Sequence, residues 1–307
     1  MQTKRQIQEL LSAAGVSPNR RLGQHFLVDL NLLRLLVDSA ELGPDDVVLE
    51  VGCGTGSLTQ ALAERAGAVV AVEIDRTLAP IAEAQLAGRR NVQIVNADVL
   101  SGKGALNPEV VDALSQARDR IASMGPIQRR SDVSSGRLLL VSNLPYDVAS
   151  PVMIHLVKGP VLADAMFVTV QKEVAERMTA GPGNRDYGTL SIFLQATGEV
   201  EILRILKPSV FWPPPAVDSA MIRFVRDERK SRRIEDMALL SDVVGLLMGH
   251  RRKMLRACLK AVPPHLGDWD FWMRILEQQA IDPTSRPGDL TPAQYVDLAN
   301  ALCRSWL

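Results

Sequence analysis

Residues 47–56 read Val47-Val48-Leu49-Glu50-Val51-Gly52-Cys53-Gly54-Thr55-Gly56, and this segment indicates the fold more clearly than any other. Its first five residues are mainly apolar, as in a short strand that is buried on both faces. Three glycines at alternate positions follow, and a helical pattern begins at Ser57. Glycine allows the backbone to turn sharply and to approach a ligand closely. The segment therefore predicts a strand, a glycine loop and a helix, a unit of ligand-binding α/β sheets.

The glycine spacing bears on the kind of ligand. The dinucleotide motif G-x-G-x-x-G requires glycine at position 57, where this chain has Ser57. The spacing therefore disfavours a dinucleotide pyrophosphate site. Taken alone, the loop is better explained as a tight strand–helix turn that binds nothing, because such turns are common.

Short apolar runs alternate with helical patterns along the first two thirds of the chain. Asp29 suits the N-cap of a helix that extends through Val37, and further helices are expected over about 57–65 and 77–86. This alternation predicts a parallel sheet with helices on both faces, which is a Rossmann-like α/β fold. The expected strands are 47–51, 69–72, 92–95, 138–141, 166–171, 200–206 and 219–225.

Two domains are expected. The β-type runs stop near residue 228, so we assign residues 1–228 to the Rossmann-like domain and 229–307 to a small helical domain. Residues 101–136 interrupt the alternation with a polar segment that has glycines at both ends. We interpret this segment as a surface insertion that contains one helix over about 108–124.

Composition excludes several classes of protein. The 307 residues are 47% hydrophobic and 23% charged, which is too apolar for a disordered chain. No charge-free run approaches the roughly 20 residues that span a bilayer, and residues 1–6 lack the apolar core of a secretory signal. The three cysteines and four histidines have no metal-ligand spacing. We therefore expect a reduced, cytoplasmic, metal-free protein without a membrane segment.

The net charge is zero, but its distribution is uneven. Residues 223–260 contain eleven Lys or Arg and five Asp or Glu, a net charge of +6, and the rest of the chain carries the opposite charge. Such asymmetry predicts a basic face on an otherwise acidic protein. A solvated helix face without a partner explains the charge equally well.

Acidic residues end the next two predicted strands. Glu73 comes directly after the second strand and 21 residues after Gly52. A carboxylate at this position can accept hydrogen bonds from both hydroxyls of a ribose. Asp75 is the alternative if the register differs by two residues. Asp98 follows the third strand and can accept a hydrogen bond from an adenine amino group. Together with the glycine loop, these strand ends predict a nucleoside-type ligand, whereas each alone is explained by a solvated or capping carboxylate.

The sequence Asn143-Leu144-Pro145-Tyr146 follows the fourth strand. Methyl transfer to the exocyclic amine of a base requires the amine lone pair to point at the methyl group. The Asn143 side-chain carbonyl and the backbone carbonyl of Leu144 or Pro145 can accept the two amine hydrogens. Pro145 stiffens the turn, and Tyr146 offers a ring on which an extruded base can stack. The alternative is an ordinary N-x-P turn.

On these motifs, the chain closely resembles the KsgA-type small-subunit rRNA adenine dimethyltransferases. The resemblance extends over almost the whole chain and rests on RLGQHFL at 21–27, LEVGCGTGSLT at 49–59, VEID at 72–75, NLPY at 143–146, QKEVAERM at 171–178, DYGTLS at 186–191, FWPPPAVDSA at 211–220 and HRRK at 250–253.

The resemblance implies an S-adenosylmethionine-dependent enzyme with no metal. Its substrate would be a pair of adjacent adenosines in a hairpin near the 3′ end of small-subunit rRNA, each receiving two methyl groups on its N6 amine. The partner would be the immature small ribosomal subunit, in whose assembly such enzymes act, and we expect a monomer. Implied cofactor-binding residues are His25, Leu27, Gly52, Gly54, Glu73, Asp98 and Asn143, and the implied catalytic segment is Asn143, Leu144, Pro145 and Tyr146.

The chain departs from the family at two of these places. Position 25 is often Asn in the family, whereas this chain has His25. Some members have an aromatic residue three positions before the Gln of QKEV, whereas this chain has Val168 there, with Phe167 on the opposite face of the strand.

The basic residues near position 250 fit an RNA-binding role. Arg251, Arg252 and Lys253, together with Arg256 and Lys260, are expected to line one side of a helix and to contact the RNA backbone. A solvated helix face remains the alternative.

Three other functions compete with this one. A large-subunit rRNA adenine methyltransferase of the resistance type is disfavoured by HRRK and by the C-terminal domain. A non-catalytic assembly factor is disfavoured by the intact glycine loop and NLPY. A nicotinamide dehydrogenase is disfavoured by Ser57 and by the lack of a positioned catalytic His or Lys.

Overall fold

The computed structural model describes residues 1–19, 22–102, 105–123 and 136–305. These form two compact units. The first comprises Met1–Ala175 and Glu201–Val225, and the second comprises Glu176–Val200 and Arg226–Leu307. The division near residue 226 lies close to the expected domain boundary at 228, but the second unit also includes 176–200. Arg21 of the RLGQHFL motif lies outside the described residues.

The strands of the described residues form one large sheet and two short ribbons. They are β1 (Phe26–Leu27), β2 (Val47–Val51), β3 (Ala68–Val72), β4 (Val92–Val95), β5 (Leu100–Ser101), β6 (Ala105–Leu106), β7 (Leu138–Asn143), β8 (Ala165–Gln171), β9 (Gly198–Leu206), β10 (Phe211–Trp212) and β11 (Ser219–Arg226). The large sheet has seven strands in the order β4-β3-β2-β7-β8-β11-β9. Its strands β4, β3, β2, β7 and β8 are parallel, and β11 is antiparallel to β8. The predicted α/β sheet is therefore confirmed, with an antiparallel strand added near one edge.

Side-chain caps mark the start of several helices, and Asp29 is the example that the sequence predicts. The Asp29 carboxylate accepts hydrogen bonds from the backbone N–H groups of Asn31 and Leu32, and α2 begins at the next residue. The helices of the described residues are α1 (Lys4–Ala13), α2 (Leu30–Ser39), α3 (Ser57–Ala63), α4 (Ala79–Leu86), α5 (Pro108–Ser123), α6 (Ala149–Lys158), α7 (Lys172–Thr179), α8 (Thr189–Thr197), α9 (Glu228–Arg232), α10 (Met237–Met248), α11 (Leu255–Cys258), α12 (Trp269–Gln278) and α13 (Pro292–Arg304). None of these helices combines the length and apolar composition that a bilayer span requires.

The prediction of a surface insertion over 101–136 is wrong for helix α5. This helix buries Val110, Leu114 and Ala117 and packs against β3 and its neighbours. A methyl group added at Gly67, just before β3, would lie 2.6 Å from Ile121 Cδ1 on the helix. Parallel strands need a crossover connection, and α5 lies in the connection from β4 to β7. Residues 103–104 and 124–135 of this segment lie outside the described residues.

Burial within each unit follows from the pattern of apolar residues. Strands β2 and β3 are buried at every residue, as expected for parallel strands that are covered on both faces. In the second unit, α13 packs against α10 and α8. Trp272 is fully buried there, whereas Trp269 is 37% exposed. The first unit therefore presents the ends of β2, β3 and β7 from the buried middle of its sheet.

Candidate active site

A cavity of about 240 Å³ lies in the first unit where β2, β3 and β7 end. This is the edge of an α/β sheet at which ligands bind. The sheet brings together every residue predicted from the sequence to bind the cofactor or the target base. Those that line the cavity are His25, Leu27, Gly52, Gly54, Glu73, Asp98, Asn143, Leu144, Pro145 and Tyr146.

The glycine loop requires glycine at two of these positions. Gly52 has φ +77° and Gly54 has φ +58°, both in the left-handed region. A Cβ at Gly52 would lie 2.9 Å from Pro145 Cγ, and one at Gly54 would lie 2.8 Å from Phe26 Cε1. The loop therefore packs directly against the NLPY turn and against β1, which places three predicted motifs around one cavity.

Glu73, which follows β3, is hydrogen-bonded to the glycine loop. Its Oε2 atom accepts a hydrogen bond from the Gly54 N–H at 2.7 Å, and Oε1 accepts one from the Asp75 N–H at 2.9 Å. Only 4% of Glu73 is exposed, and this burial raises the pKa of its carboxyl above the ordinary value. Each carboxylate oxygen has a further lone pair. Glu73 can therefore hold the loop and still accept hydrogen bonds from a ligand.

The two other acidic candidates differ in position. Asp98 lines the cavity and is exposed, and its Oδ1 accepts from the Leu100 N–H at 2.9 Å. The Asp75 carboxylate lies outside the cavity lining, where it accepts hydrogen bonds from Gln24 Nε2 at 2.8 Å and from the Thr77 hydroxyl at 2.6 Å. The geometry therefore favours Glu73 over Asp75 as the ribose acceptor.

Glu50 is a buried acid in the cavity wall to which no sequence motif assigns a role. Its Oε2 atom has no hydrogen-bond partner of ordinary geometry among the described residues. The nearby Thr59 hydroxyl lowers the pKa of Glu50 by less than burial raises it. Burial raises the pKa of Glu50 from 4.5 to about 8, and the neighbouring Glu73 carboxylate opposes its ionisation further. Near neutral pH, Glu50 is therefore mainly a neutral carboxylic acid.

The Asn143 side chain is fixed by two hydrogen bonds. Nδ2 donates to the His25 backbone oxygen at 2.8 Å, and Oδ1 accepts from the Thr169 hydroxyl. A backbone oxygen can only accept, so the amide has its NH₂ group toward His25 and its carbonyl toward Thr169. One lone pair of Oδ1 and one N–H remain for a ligand.

Two aromatic rings of the cavity lining stack on each other. The rings of His25 and Tyr146 are stacked, with centroids 5.7 Å apart and planes inclined by 29°. His25 Nδ1 lies 2.7 Å from the Pro213 carbonyl oxygen, so Nδ1 carries the hydrogen and donates it. The Tyr146 hydroxyl lies 2.8 Å from Ser219 Oγ, and burial raises the pKa of Tyr146. The FWPPP motif and Ser219 thus support this side of the cavity.

Sequence reasoning missed three polar residues that hold the site. Thr169 binds Asn143, Ser219 binds Tyr146, and Gln2 binds the glycine loop. Gln2 Nε2 donates to the Thr55 backbone oxygen at 3.0 Å, and its Oε1 accepts from the Thr55 hydroxyl at 2.6 Å. Each partner lies at least 26 positions away along the chain, so no local pattern indicates these contacts.

The basic block in the second unit differs from its prediction. Residues 250–254 form turns between α10 and α11, so Arg251 to Lys260 do not line one helix. The Leu255 and Arg256 N–H groups donate to the carbonyls of Ser285 and Pro283, which fixes the start of the short helix α11. Arg251 is half-buried and donates from Nη2 to the Asn184 carbonyl at 2.8 Å, whereas Arg252 and Lys253 are exposed.

Metal-ligating side chains are not clustered in the described part of the chain. No group of three or more His, Cys, Asp or Glu residues within it has a geometry that could hold an ion. The three cysteines are unpaired. The side chains that line the cavity include carboxylates, an amide, a thiol and aromatic rings.

The cavity is surrounded by a glycine loop, an acid at the end of the adjacent strand and an Asn-Leu-Pro-Tyr turn. This combination defines a nucleoside-binding enzyme of the Rossmann-like methyltransferase class. Within that class, residues 15–302 match the family model described as ribosomal RNA adenine dimethylase. The chain belongs to this family.

Individual relatives agree with the assignment. The chain is 36% identical over 295 residues to the ribosomal RNA small subunit methyltransferase A of Geobacillus sp. (strain WCH70), covering 96% of this chain and 94% of that protein. A crystal structure of a dimethyladenosine transferase from Plasmodium falciparum has the same fold, with a TM-score of 0.69 at 21% identity over 92% of this chain and 99% of that one. The 23S rRNA methyltransferase ErmE is similar at a TM-score of 0.60 and 25% identity, over 91% of this chain and 99% of that one.

The family membership settles the kind of enzyme. The chain is an rRNA adenine dimethyltransferase, and S-adenosylmethionine is its co-substrate. The alternatives of a nicotinamide dehydrogenase and of a non-catalytic assembly factor are not supported.

Proposed function

We propose that this enzyme transfers methyl groups to the N6 amines of two adjacent adenosines in a 3′-terminal hairpin of small-subunit rRNA, two to each adenosine. The observation that carries the proposal is the orientation of the Asn143 amide. Its NH₂ group donates to the His25 backbone oxygen and its Oδ1 accepts from the Thr169 hydroxyl, while Asn143 is one of the cavity residues, so that the second lone pair of Oδ1 is available for an amine hydrogen.

The residues of the cavity fit S-adenosylmethionine. Glu73 has free lone pairs for the ribose hydroxyls, and the exposed carboxylate of Asp98 is available to the adenine amino group. Gly52 and Gly54 have no side chain, so the co-substrate can approach the loop backbone closely. His25 and Leu27 line the same cavity. When bound, this co-substrate supplies an electrophilic methyl group on its sulfonium.

The chain's own groups would prepare the amine for attack. The lone pair of a base amine is delocalised into the ring, so the amine is a poor nucleophile. Accepting both of its hydrogens pulls the lone pair out of the ring plane and toward the methyl group. Asn143 Oδ1 provides one acceptor for these hydrogens.

Leu144 is the better candidate for the second acceptor. The Pro145 carbonyl already accepts a hydrogen bond from the Val148 N–H at 3.3 Å, whereas no such bond is found for the Leu144 carbonyl among the described residues. We therefore assign the second amine hydrogen to Leu144. The Tyr146 ring would stack on the extruded base, while its hydroxyl stays bound to Ser219.

The small ribosomal subunit is the favoured partner over the large one. The curated relative named for the small subunit is 36% identical, whereas the 23S rRNA enzyme is 25% identical. Arg251, Arg252 and Lys253 would contact the RNA backbone, with the exposed pair Arg252 and Lys253 the stronger candidates. Action on immature subunits would place the enzyme in the cytoplasm and in subunit assembly. We expect a monomer that needs no metal.

Mass spectrometry of rRNA from a strain that lacks this gene tests the proposal. Small-subunit rRNA from the deletion strain should lack two adjacent N6-dimethyladenosines near its 3′ end, and the wild-type gene should restore them. Restoration of a modified adenine in large-subunit rRNA instead would assign the enzyme to the resistance type.

A further inference from the structure

We propose that Thr169 is a positioning residue for methyl transfer, because it holds the Asn143 carbonyl in the orientation that receives the target amine. The inference rests on the proposed function, in which Asn143 accepts an amine hydrogen. It concerns a residue in the middle of a strand whose side chain does not line the cavity.

Thr169 contacts two successive residues of the catalytic segment. Its hydroxyl donates to Asn143 Oδ1, and its backbone oxygen accepts from the Leu144 N–H at 3.1 Å. The register of β7 and β8 places Thr169 directly beside Asn143. One residue of β8 therefore fixes both the Asn143 amide and the backbone that carries the Leu144 carbonyl.

Neither the packing nor the strand conformation at position 169 requires the threonine hydroxyl. The flanking residues Val168 and Val170 are both fully buried, and Thr169 is 1% exposed. Valine has nearly the same shape and a high strand propensity, so packing alone would be satisfied by valine. A buried hydroxyl normally requires a hydrogen-bond partner, and here that partner is Asn143.

The two bonds to the Asn143 amide have different consequences. The His25 carbonyl determines which end of the amide carries the NH₂ group. The Thr169 hydroxyl restrains rotation of the amide plane, since it binds the opposite end. Without this hydroxyl, the Asn143 carbonyl would still lie at the end of the amide away from His25, but its direction would no longer be fixed. Methyl transfer depends on alignment, and so the rate should fall more than binding.

Thr169→Val tests the inference, with Thr169→Ser as the matched variant that keeps the hydroxyl. Single-turnover methyl transfer to unmethylated small subunits should slow about threefold to tenfold in Thr169→Val, the range expected when one hydrogen bond is removed. Thr169→Ser should stay within about twofold of wild type. The affinity for S-adenosylmethionine, measured by calorimetry, should change less than the rate in both variants.

A double-mutant cycle with Asn143→Ala separates positioning from general damage. In the Asn143→Ala background, Thr169→Val should cause no further loss of rate. An equal loss in both backgrounds, or a full rate for Thr169→Val, would overturn the inference. If Thr169→Val does not fold, Thr169→Ala is compared with Thr169→Ser in the same cycle. A wild-type enzyme that does not methylate adenine would contradict the proposed function itself, whatever the variants do.

Discussion

The Gly54 N–H and the Glu73 carboxylate are joined by a hydrogen bond of 2.7 Å, which links the glycine loop after β2 to the end of β3. Glu73 also accepts from the Asp75 N–H with its other oxygen. The same carboxylate that we assign to the ribose therefore fixes the loop that borders the cofactor site. A variant at this position removes a ligand contact and a loop contact together.

Glu73→Ala should weaken binding of S-adenosylmethionine about tenfold to a hundredfold, because charge-assisted hydrogen bonds contribute roughly 1.5–3 kcal/mol. Calorimetry with the folded variant measures the loss directly. Asp75→Ala, which changes an acid outside the cavity lining, should have a much smaller effect.

Ribose analogues separate the two roles of Glu73. The wild type should bind adenosine more tightly than 2′,3′-dideoxyadenosine, since the hydroxyls are missing from the latter. Glu73→Ala should bind the two nucleosides equally. If the variant still prefers adenosine to the same degree as wild type, Glu73 acts only on the loop.

Glu50 should make the stability of the unliganded protein depend on pH. An unfolded glutamate ionises near its ordinary pKa of 4.5, whereas native Glu50 holds its proton up to about pH 8. Between these values the native state binds more protons than the unfolded state, so this group lowers stability as the pH rises. The difference in pKa corresponds to on the order of 5 kcal/mol.

Glu50→Gln removes this dependence while keeping the size of the side chain. Denaturant unfolding at a series of pH values should show the variant gaining stability over wild type from about pH 5 to about pH 8 and no further above that. For Glu83→Gln, on the exposed side of α4, the difference in stability from wild type should not change with pH. A pH-independent difference for Glu50→Gln would show that Glu50 is already ionised in the native protein.

Helix α5 should contribute strongly to stability, because it covers the sheet. Leu114 is 1% exposed, and Leu114→Ala should cost about 2–5 kcal/mol of unfolding free energy. Gln116→Ala, on the exposed side of the same helix, should change it by less than about 0.5 kcal/mol. Chemical denaturation compares the two, and equal small effects would restore the interpretation of this helix as a surface insertion.

Arg252 and Lys253 should bind RNA without taking part in methyl transfer. Replacing both with Ala should weaken binding to small subunits. The slope of log affinity against log salt concentration should become shallower by roughly 0.7–0.9 for each phosphate that is no longer neutralised. Filter binding at several salt concentrations measures this slope. The rate at saturating substrate should be nearly unchanged.

Two comparisons make the RNA-binding test specific. Arg118→Ala combined with Arg120→Ala removes two exposed cations from α5 and should leave the slope unchanged. Arg251→Ala should lower stability, because it removes the bond to the Asn184 carbonyl. Weaker binding of the Arg252 and Lys253 variant with an unchanged salt dependence would argue against phosphate contacts.

The parts of the fold that local chemistry determines could be predicted from the sequence. The Asp29 cap, the strand Val47–Val51 and the positive-φ glycines each depend on neighbouring residues, and the structure contains all three. The strand-end residues Glu73, Asp98 and Asn143 were also predictable, since parallel strands end at the same edge of a sheet. His25 and Leu27, in contrast, followed only from the family resemblance.

Features that depend on distant residues were not predictable. Thr169 resembles a strand valine in its pattern, and only the pairing of β7 and β8 shows that its hydroxyl meets Asn143. The helix expected through Arg251 is broken because backbone groups near Leu255 bind carbonyls at 283 and 285. The packing of α5 was not predicted because polar segments precede and follow this helix in the sequence.

Dimethylation of adjacent adenines in small-subunit rRNA can be measured in a reconstituted reaction. Unmethylated small subunits, the purified enzyme and labelled S-adenosylmethionine are combined, and the rRNA nucleosides are analysed by mass spectrometry. We predict two N6-dimethyladenosines at adjacent positions with the wild type and a strongly reduced yield with Asn143→Ala, which should still bind subunits. A wild-type product on another base or another atom, or full activity of Asn143→Ala, would contradict the account.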